Sequence, residues 1–317
     1  MRIFLRSVYA SAFITIAFIV ALYLSDSKHR ESGVNVGIGV MAGILSAFFV
    51  LIIRTLMPTP FGIYDSSSLL AVLDQSFFRA GFLEELIKYL FFFVFFWNMP
   101  FEEFPEKYDG MLYFGSIGGG FALYEDFLYI FSRTNYFWQL GKAAKSETVF
   151  QSMMLYRSFP GHILFGALAG YFIGKARFSD RKITKLKLIL FGFVAAVVAH
   201  GTFNTMVHFS GEFGALVFTM VLIWLIYSLR DLLLGDSPFA EIESFESSGI
   251  LSRWEIIKDW KYNRSFDDYA KLKKDKGSDW TIGLLPVFLS LTILFPLLIG
   301  GLYMLNQAAI KYLPPIW

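Results

Sequence analysis

The chain has 317 residues, of which 56% are hydrophobic, 19% aromatic and only 17% charged, with a formal net charge of +2. A soluble domain carries about a quarter of its residues as charges, so the composition excludes an ordinary soluble enzyme. No basic stripe stands outside the loops, and no nucleic-acid partner is expected. The absence of cysteine excludes disulfides, thiolate metal sites and a cysteine nucleophile.

A membrane span needs about 20 mainly apolar residues. Eight stretches qualify: roughly 3–24, 34–53, 80–98, 109–132, 157–174, 187–207, 212–229 and 281–304. The expectation is an all-α, multi-pass bundle of about eight transmembrane helices in the cell membrane, with the lipid bilayer as its surroundings. The first stretch has no small-residue cleavage site and reads as an anchor. Residues 56–79 are too mixed to cross and read as an interfacial or re-entrant piece. Four parts follow: N-terminal helices and interfacial segment (1–79), a catalytic helix core (80–229), a partly ordered cytoplasmic loop (230–279), and a C-terminal helix (280–317). The loop carries nine Lys/Arg and eleven Asp/Glu.

Orientation follows from Lys and Arg in short loops. KARFSDRKITKLK holds Lys175, Arg177, Arg181, Lys182, Lys185 and Lys187. It places the first, third, fifth and seventh connections in the cytoplasm and both termini outside, although Arg2 and Arg6 count against this.

The third span, AGFLEELIKYLFFFVFF (80–96), carries Glu84, Glu85 and Lys88 in its first turns. A charge centred in a bilayer costs several kcal/mol (about 2.5–3.5 on insertion scales) and needs a reason. Glu84 and Lys88, at i,i+4, can neutralise each other, which leaves Glu85 over. Span four adds Glu125 and Asp126, span five His162, and span six His200, Asn204 and His208 on one face. Taking about 1.5 Å per residue, Glu84 and Glu85 lie roughly 6–8 Å from the outer end of their span, and His162 roughly 8 Å. Glu125 and His200, on helices running the other way, lie roughly 10 Å from that side. Four helices thus carry carboxylate or imidazole at one level, as a single site requires. Gly115, Gly118, Gly119 and Gly120 in span four, with Gly161, Gly166 and Gly170 in span five, allow those helices to approach. His29, in a polar loop, reads as solvated.

Histidine with carboxylate is the ligand set of a catalytic zinc site, in which three protein ligands leave a position for water. A further glutamate could act as base on that water. Without metal, a buried glutamate beside a second carboxylate could itself take the proton. Both routes end in hydrolysis. No HExxH spacing is present to name the metal.

Glu84-Glu85-x-x-Lys88 resembles the EExxK motif of the PrsW family of intramembrane proteases. Phe121-x-x-x-Glu125 is similar to its FxxxE motif, His162 with Gly170 to its HxxxxxxxG motif, and His200-x-x-x-Asn204 to its HxxxD/N motif. Order and spacing agree over about 80–210. The family is related to the CAAX prenyl endopeptidases and the bacteriocin-immunity membrane proteases, and its founding member cuts a membrane-anchored anti-sigma factor on the extracytoplasmic side. The resemblance implies a peptidase acting on a membrane-anchored protein. It implies catalytic roles for Glu84, Glu85, Lys88 and Asn204, the last as orienting or oxyanion-binding partner, and Glu125, His162 and His200 as ligands of Zn2+ if a metal is used. Asp126 departs from the Asn usual at that position. The alternatives are a proton-coupled transporter, which would show repeated halves and midplane helix breaks, and a CAAX-type processing enzyme with its site open to the cytoplasm.

Overall fold

A computed structural model of the chain describes residues 2–26, 30–56, 69–100, 103–157, 160–235 and 237. Every regular element among them is helical. They are α1 (Arg2–Ser25), α2 (Gly33–Leu56), α3 (Leu69–Leu73), a π-helical stretch (Asp74–Phe82), α4 (Leu83–Phe95), α5 (Tyr108–Gln139), α6 (Ala143–Arg157), α7 (Gly161–Arg177) and α8 (Lys182–Gly235). The segment 281–304 and nearly all of the 230–279 loop lie outside the described residues, as do His29 and residues 57–68.

α5 is the axis, and α1, α2, α6 and α7 all pack against it. Its GSIGGG run explains why two of these neighbours come so near. A Cβ on Gly118 would stand 2.0 Å from the His162 carbonyl oxygen, and one on Gly120 would stand 1.9 Å from that of Val40. Any larger residue would push α7 or α2 away, and His162 with it. Aromatic rings fill the remainder, including Phe92, Phe96, Tyr113 and Phe114, all fully buried. Pro160 precedes α7 as its N-cap, where a missing N–H is no loss. α5 ends in a Schellman turn: Gly141, at φ +70°, donates to Trp138 O, and Lys142 N donates to Phe137 O, both at 3.0 Å.

That turn leads into α6, which the sequence reading treats as an outer connection. Its AAKSETVFQSMMLYR has no sustained apolar stripe. It packs along α5, where Ser146 Oγ donates to Thr134 O at 2.9 Å and Phe150 is buried with Ile130. Arg6 of α1 adds two bonds of 2.7 Å to Glu147 and lies 4.1 Å over Phe150. The glutamate-bearing helix also begins earlier than 80, since α3, the π stretch and α4 run on as one rod from Leu69. The polar Gln75 and Ser76, which argue against a span, face a cavity.

Among the described residues, four helical segments are long and apolar enough to cross a bilayer on composition alone: Ile3–Ser25, Gly33–Leu56, Lys182–Phe209 and Phe213–Gly235. The last two are halves of α8. Lys185 lies 5.6 Å from the Trp97 ring, while near the far end Arg230 donates to Ser25 and Ser237 to Glu106. A straight helix would separate residues 185 and 235 by about 75 Å, so α8 doubles back and its halves form two legs. The connections after α1, α4 and α7 and the end of α8 therefore meet at one end of the bundle. Tyr113 binds Glu31 at 2.6 Å there, Asn35 binds Glu103 at 2.5 Å, and Arg177 binds Met99 O at 2.5 Å.

Two outcomes test this arrangement. With the expected orientation, a cysteine at exposed Ala144 should react with an impermeant reagent in intact cells and one at exposed Asp180 should not. The reverse pattern would invert the topology. In the connection before α5, burial beside Asp26 pushes the Glu106 carboxyl well above the usual carboxylate range. A raised value means that the folded state holds this proton more tightly, so the contribution to stability is present at low pH and is lost as pH rises through the raised value. The thermal midpoint in detergent should fall as pH is raised above the usual carboxylate range, and Glu106→Gln should flatten that fall.

Candidate active site

Four helices deliver the site and a fifth completes it. On α4, Glu84, Glu85 and Lys88 have 1%, 0% and 0% of their surface exposed. Lys88 Nζ donates to Glu85 Oε1 at 2.7 Å, stands 3.0 Å from His162 Nδ1, and lies 4.3 Å from the centre of the Phe121 ring. Glu85 Oε1 is also 2.9 Å from His200 Nδ1. Across the site, His162 Nε2 lies 2.9 Å from Glu125 Oε2. Phe165 stacks on the His200 ring at 4.9 Å and 19°. The groups expected at one level from four separate spans thus meet in one place.

The pairing within them differs from the i,i+4 expectation. Lys88 serves Glu85, at i,i+3, and the partner of Glu84 is Arg54 of α2, whose Nη2 donates to Glu84 Oε1 at 2.6 Å. Lys88 is drawn the other way by an imidazole and an aromatic face. Arg54 is not among the residues singled out in the sequence. Its signal was available, because the end of span two and the start of span three share the outer level at which Glu84 sits. Phe121 likewise had no assigned chemistry, and its ring carries the lysine charge.

A cavity of about 530 Å3 opens onto this cluster, bounded by α3 and the π stretch on one side and by α6 on another. Glu84, Glu125, His162 and His200 reach it, as do Asp126, Asn204 and His208. Asn204 follows His200 by one helical turn, and His208 by two.

The donor set suits a divalent ion. One ligand atom each from Glu84, His162 and His200 lies within 4.8 Å of the others. Glu84 Oε2 is buried without a hydrogen-bond partner, 3.8 Å from His200 Nε2 and 4.0 Å from His162 Nε2. His200 already has the carboxylate behind its other nitrogen that metal-bound imidazoles usually have. His162 fits on one condition. An ammonium only donates, so Lys88 leaves Nδ1 as acceptor and the Nε2 proton facing Glu125. To ligate through Nε2, His162 would need Nδ1 protonated, and the donor at that atom is Lys88. Charge gives a further reason: Glu84, Glu85 and Glu125 against Arg54 and Lys88 leave one negative charge unbalanced while both imidazoles are neutral. The expected ligands Glu125, His162 and His200 and this trio share both histidines and differ in the carboxylate.

Comparison with known proteins agrees with this arrangement. The model of a family described as PrsW family intramembrane metalloprotease matches residues 32–229, which include every residue of the cluster. Protease PrsW of Oceanobacillus iheyensis is 28% identical over 220 residues, covering 68% of this chain and 89% of that protein. Protease PrsW of Geobacillus kaustophilus is 30% identical over 53% of this chain and 65% of its own length. That of Bacillus subtilis is 33% identical over 41% of this chain and 52% of its own. No solved structure gives a significant match. The helical bundle, the buried Glu/His/His group and these relatives lead to one conclusion: the chain belongs to the PrsW family of intramembrane metalloproteases, and is a multi-pass membrane peptidase.

Proposed function

We propose that this peptidase hydrolyses a peptide bond of a membrane-anchored protein near the extracytoplasmic face, with Glu84, His162 and His200 as the ligands of a divalent ion, zinc in the first instance. The observation that carries this reading is the unpartnered Glu84 Oε2 turned toward the two imidazole Nε2 atoms. Such an ion, when bound, acidifies a coordinated water and polarises a carbonyl.

The remaining roles belong to the protein's own groups. Glu85 fixes the ring of His200, and Lys88 fixes Glu85. Glu125, whose side chain is 15% exposed, takes the proton from water as its oxygen attacks the carbonyl carbon. The carbonyl π pair moves to the oxygen, and the Asn204 amide, facing the same cavity, donates a hydrogen bond to it. Collapse breaks the C–N bond, and Glu125 returns the proton to the leaving nitrogen. Glu84 and Glu125 thereby exchange the ligand and base roles that the family motifs suggest. A metal-free variant of the same reaction is favoured by one observation, the Lys88–His162–Glu125 line, in which the imidazole is already hydrogen-bonded at both nitrogens.

Chelation decides between them. Purified protein should hold about one divalent ion per chain, lose cleavage when it is removed, and recover with zinc. Full activity with no metal detected would leave the carboxylate-only route.

Substitutions separate the two adjacent glutamates. Glu84→Gln and Glu125→Gln should reach normal abundance and lose cleavage by about 10² or more. Glu85→Gln or Lys88→Met each strands a fully buried charge and should cost roughly 3–5 kcal/mol. The double variant Glu85→Gln/Lys88→Met should recover abundance without recovering cleavage. If Glu84→Gln cleaves at near wild-type rate, Glu84 is structural.

A further inference from the structure

An arginine near the end of a transmembrane helix ordinarily runs its stem along apolar surface and leaves its head in water. Arg54, in the last turn of α2, does not. Its side chain is 19% exposed, and the guanidinium turns inward to the start of α4. One nitrogen, Nη2, makes two contacts there: 2.6 Å to Glu84 Oε1 and 2.9 Å to the Arg79 carbonyl oxygen.

The second contact has a cause in the backbone. Asp74–Phe82 is π-helical and α4 resumes at Leu83. The Leu83 N–H points back to the carbonyls of Phe78 and Ala80, passing over the one between them. That passed-over carbonyl is Arg79 O. A wide turn of this kind leaves a carbonyl short of a helical donor, and Arg54 supplies the donor from another helix. The same nitrogen then occupies one oxygen of Glu84, so the other, Oε2, is the one directed at His162 and His200. Arg54 Nε is itself buried without a partner, so the guanidinium is placed for these two contacts and not for its own full satisfaction.

We propose that Arg54 is a positioning residue of the active site. It clamps Glu84 by Oε1 and the π turn by its passed-over carbonyl, and so holds Oε2 in the place where a divalent ion would bind. In this role it acts through Glu84, although it also borders the cavity. The inference rests on the reading of Glu84 as a ligand given above.

The test uses the full chain in detergent and Zn2+ alone as probe. Arg54→Met should weaken Zn2+ binding by about 10–100-fold, the usual effect of removing the partner of a metal ligand. Arg54→Lys, which keeps the charge but not the planar fork, should fall between that variant and wild type. In a Glu84→Gln background, Arg54→Met should change Zn2+ affinity no further, because the group it acts through is already gone. Wild-type affinity in Arg54→Met, or an equal loss in both backgrounds, would overturn the proposal. If wild-type protein takes up no Zn2+, the metal reading fails, and the clamp is then judged by thermal unfolding. Arg54→Met/Glu84→Gln should unfold at a higher temperature than Arg54→Met, since the double variant no longer strands a carboxylate. Equal midpoints would then overturn the clamp.

Discussion

A lysine with no exposed surface holds the centre of this bundle together. Its ammonium is shared among a carboxylate on its own helix, an imidazole on α7 and an aromatic face on α5. The carboxylate passes the connection on to α8 through His200. Removing an ammonium from water costs several kcal/mol after relaxation, and only this complete set of partners offsets that. The four helices therefore have one arrangement in which the lysine is satisfied, and in that arrangement both histidines face Glu84. The electrostatics that make the interior tolerable also define the geometry of the site.

The packing of α5 makes that arrangement reachable. Backbones separated by no side chain bring α2 and α7 against its glycine-rich face, and polar groups then meet at hydrogen-bond distance without long, mobile side chains. This is the usual way for helices in lipid to associate, since apolar surface there has no water to escape. Close approach and buried charge depend on each other here. A bulkier residue at Gly118 would displace the very turn of α7 that carries His162.

Much of this was legible in the sequence. An ionisable group in an apolar run is conspicuous, and a rise of about 1.5 Å per residue converts its position into depth. That was enough to bring Glu84, Glu85, Glu125, His162 and His200 to one level. What escaped was partner choice across helices. Spacing along a single helix joined Glu84 to Lys88, whereas a cation from α2 was closer, and no one-helix pattern could disclose it. The π stretch escaped for a related reason: a widened turn leaves no proline or charge signature, and its loose carbonyl is satisfied from elsewhere. α6 was missed because half-polar helices carry too weak a periodicity, and its docking rests on a few contacts with α5, such as Ser146 to the Thr134 carbonyl, and one bidentate pair with α1.

The cavity sits near one end of the bundle. From Tyr108 to Glu125 α5 rises about 26 Å, against a hydrocarbon thickness of about 30 Å. The peptide bonds in the middle of a membrane helix are fastened, each carbonyl tied to an amide four residues on. Only in the last turn do carbonyls stand open. A chamber at mid-depth would first have to unravel its victim in a solvent that offers no replacement bonds. On the function proposed above, a chamber at this depth would meet a helix where it has already begun to fray, and the lipid-embedded remainder could stay wound while the scissile bond is presented.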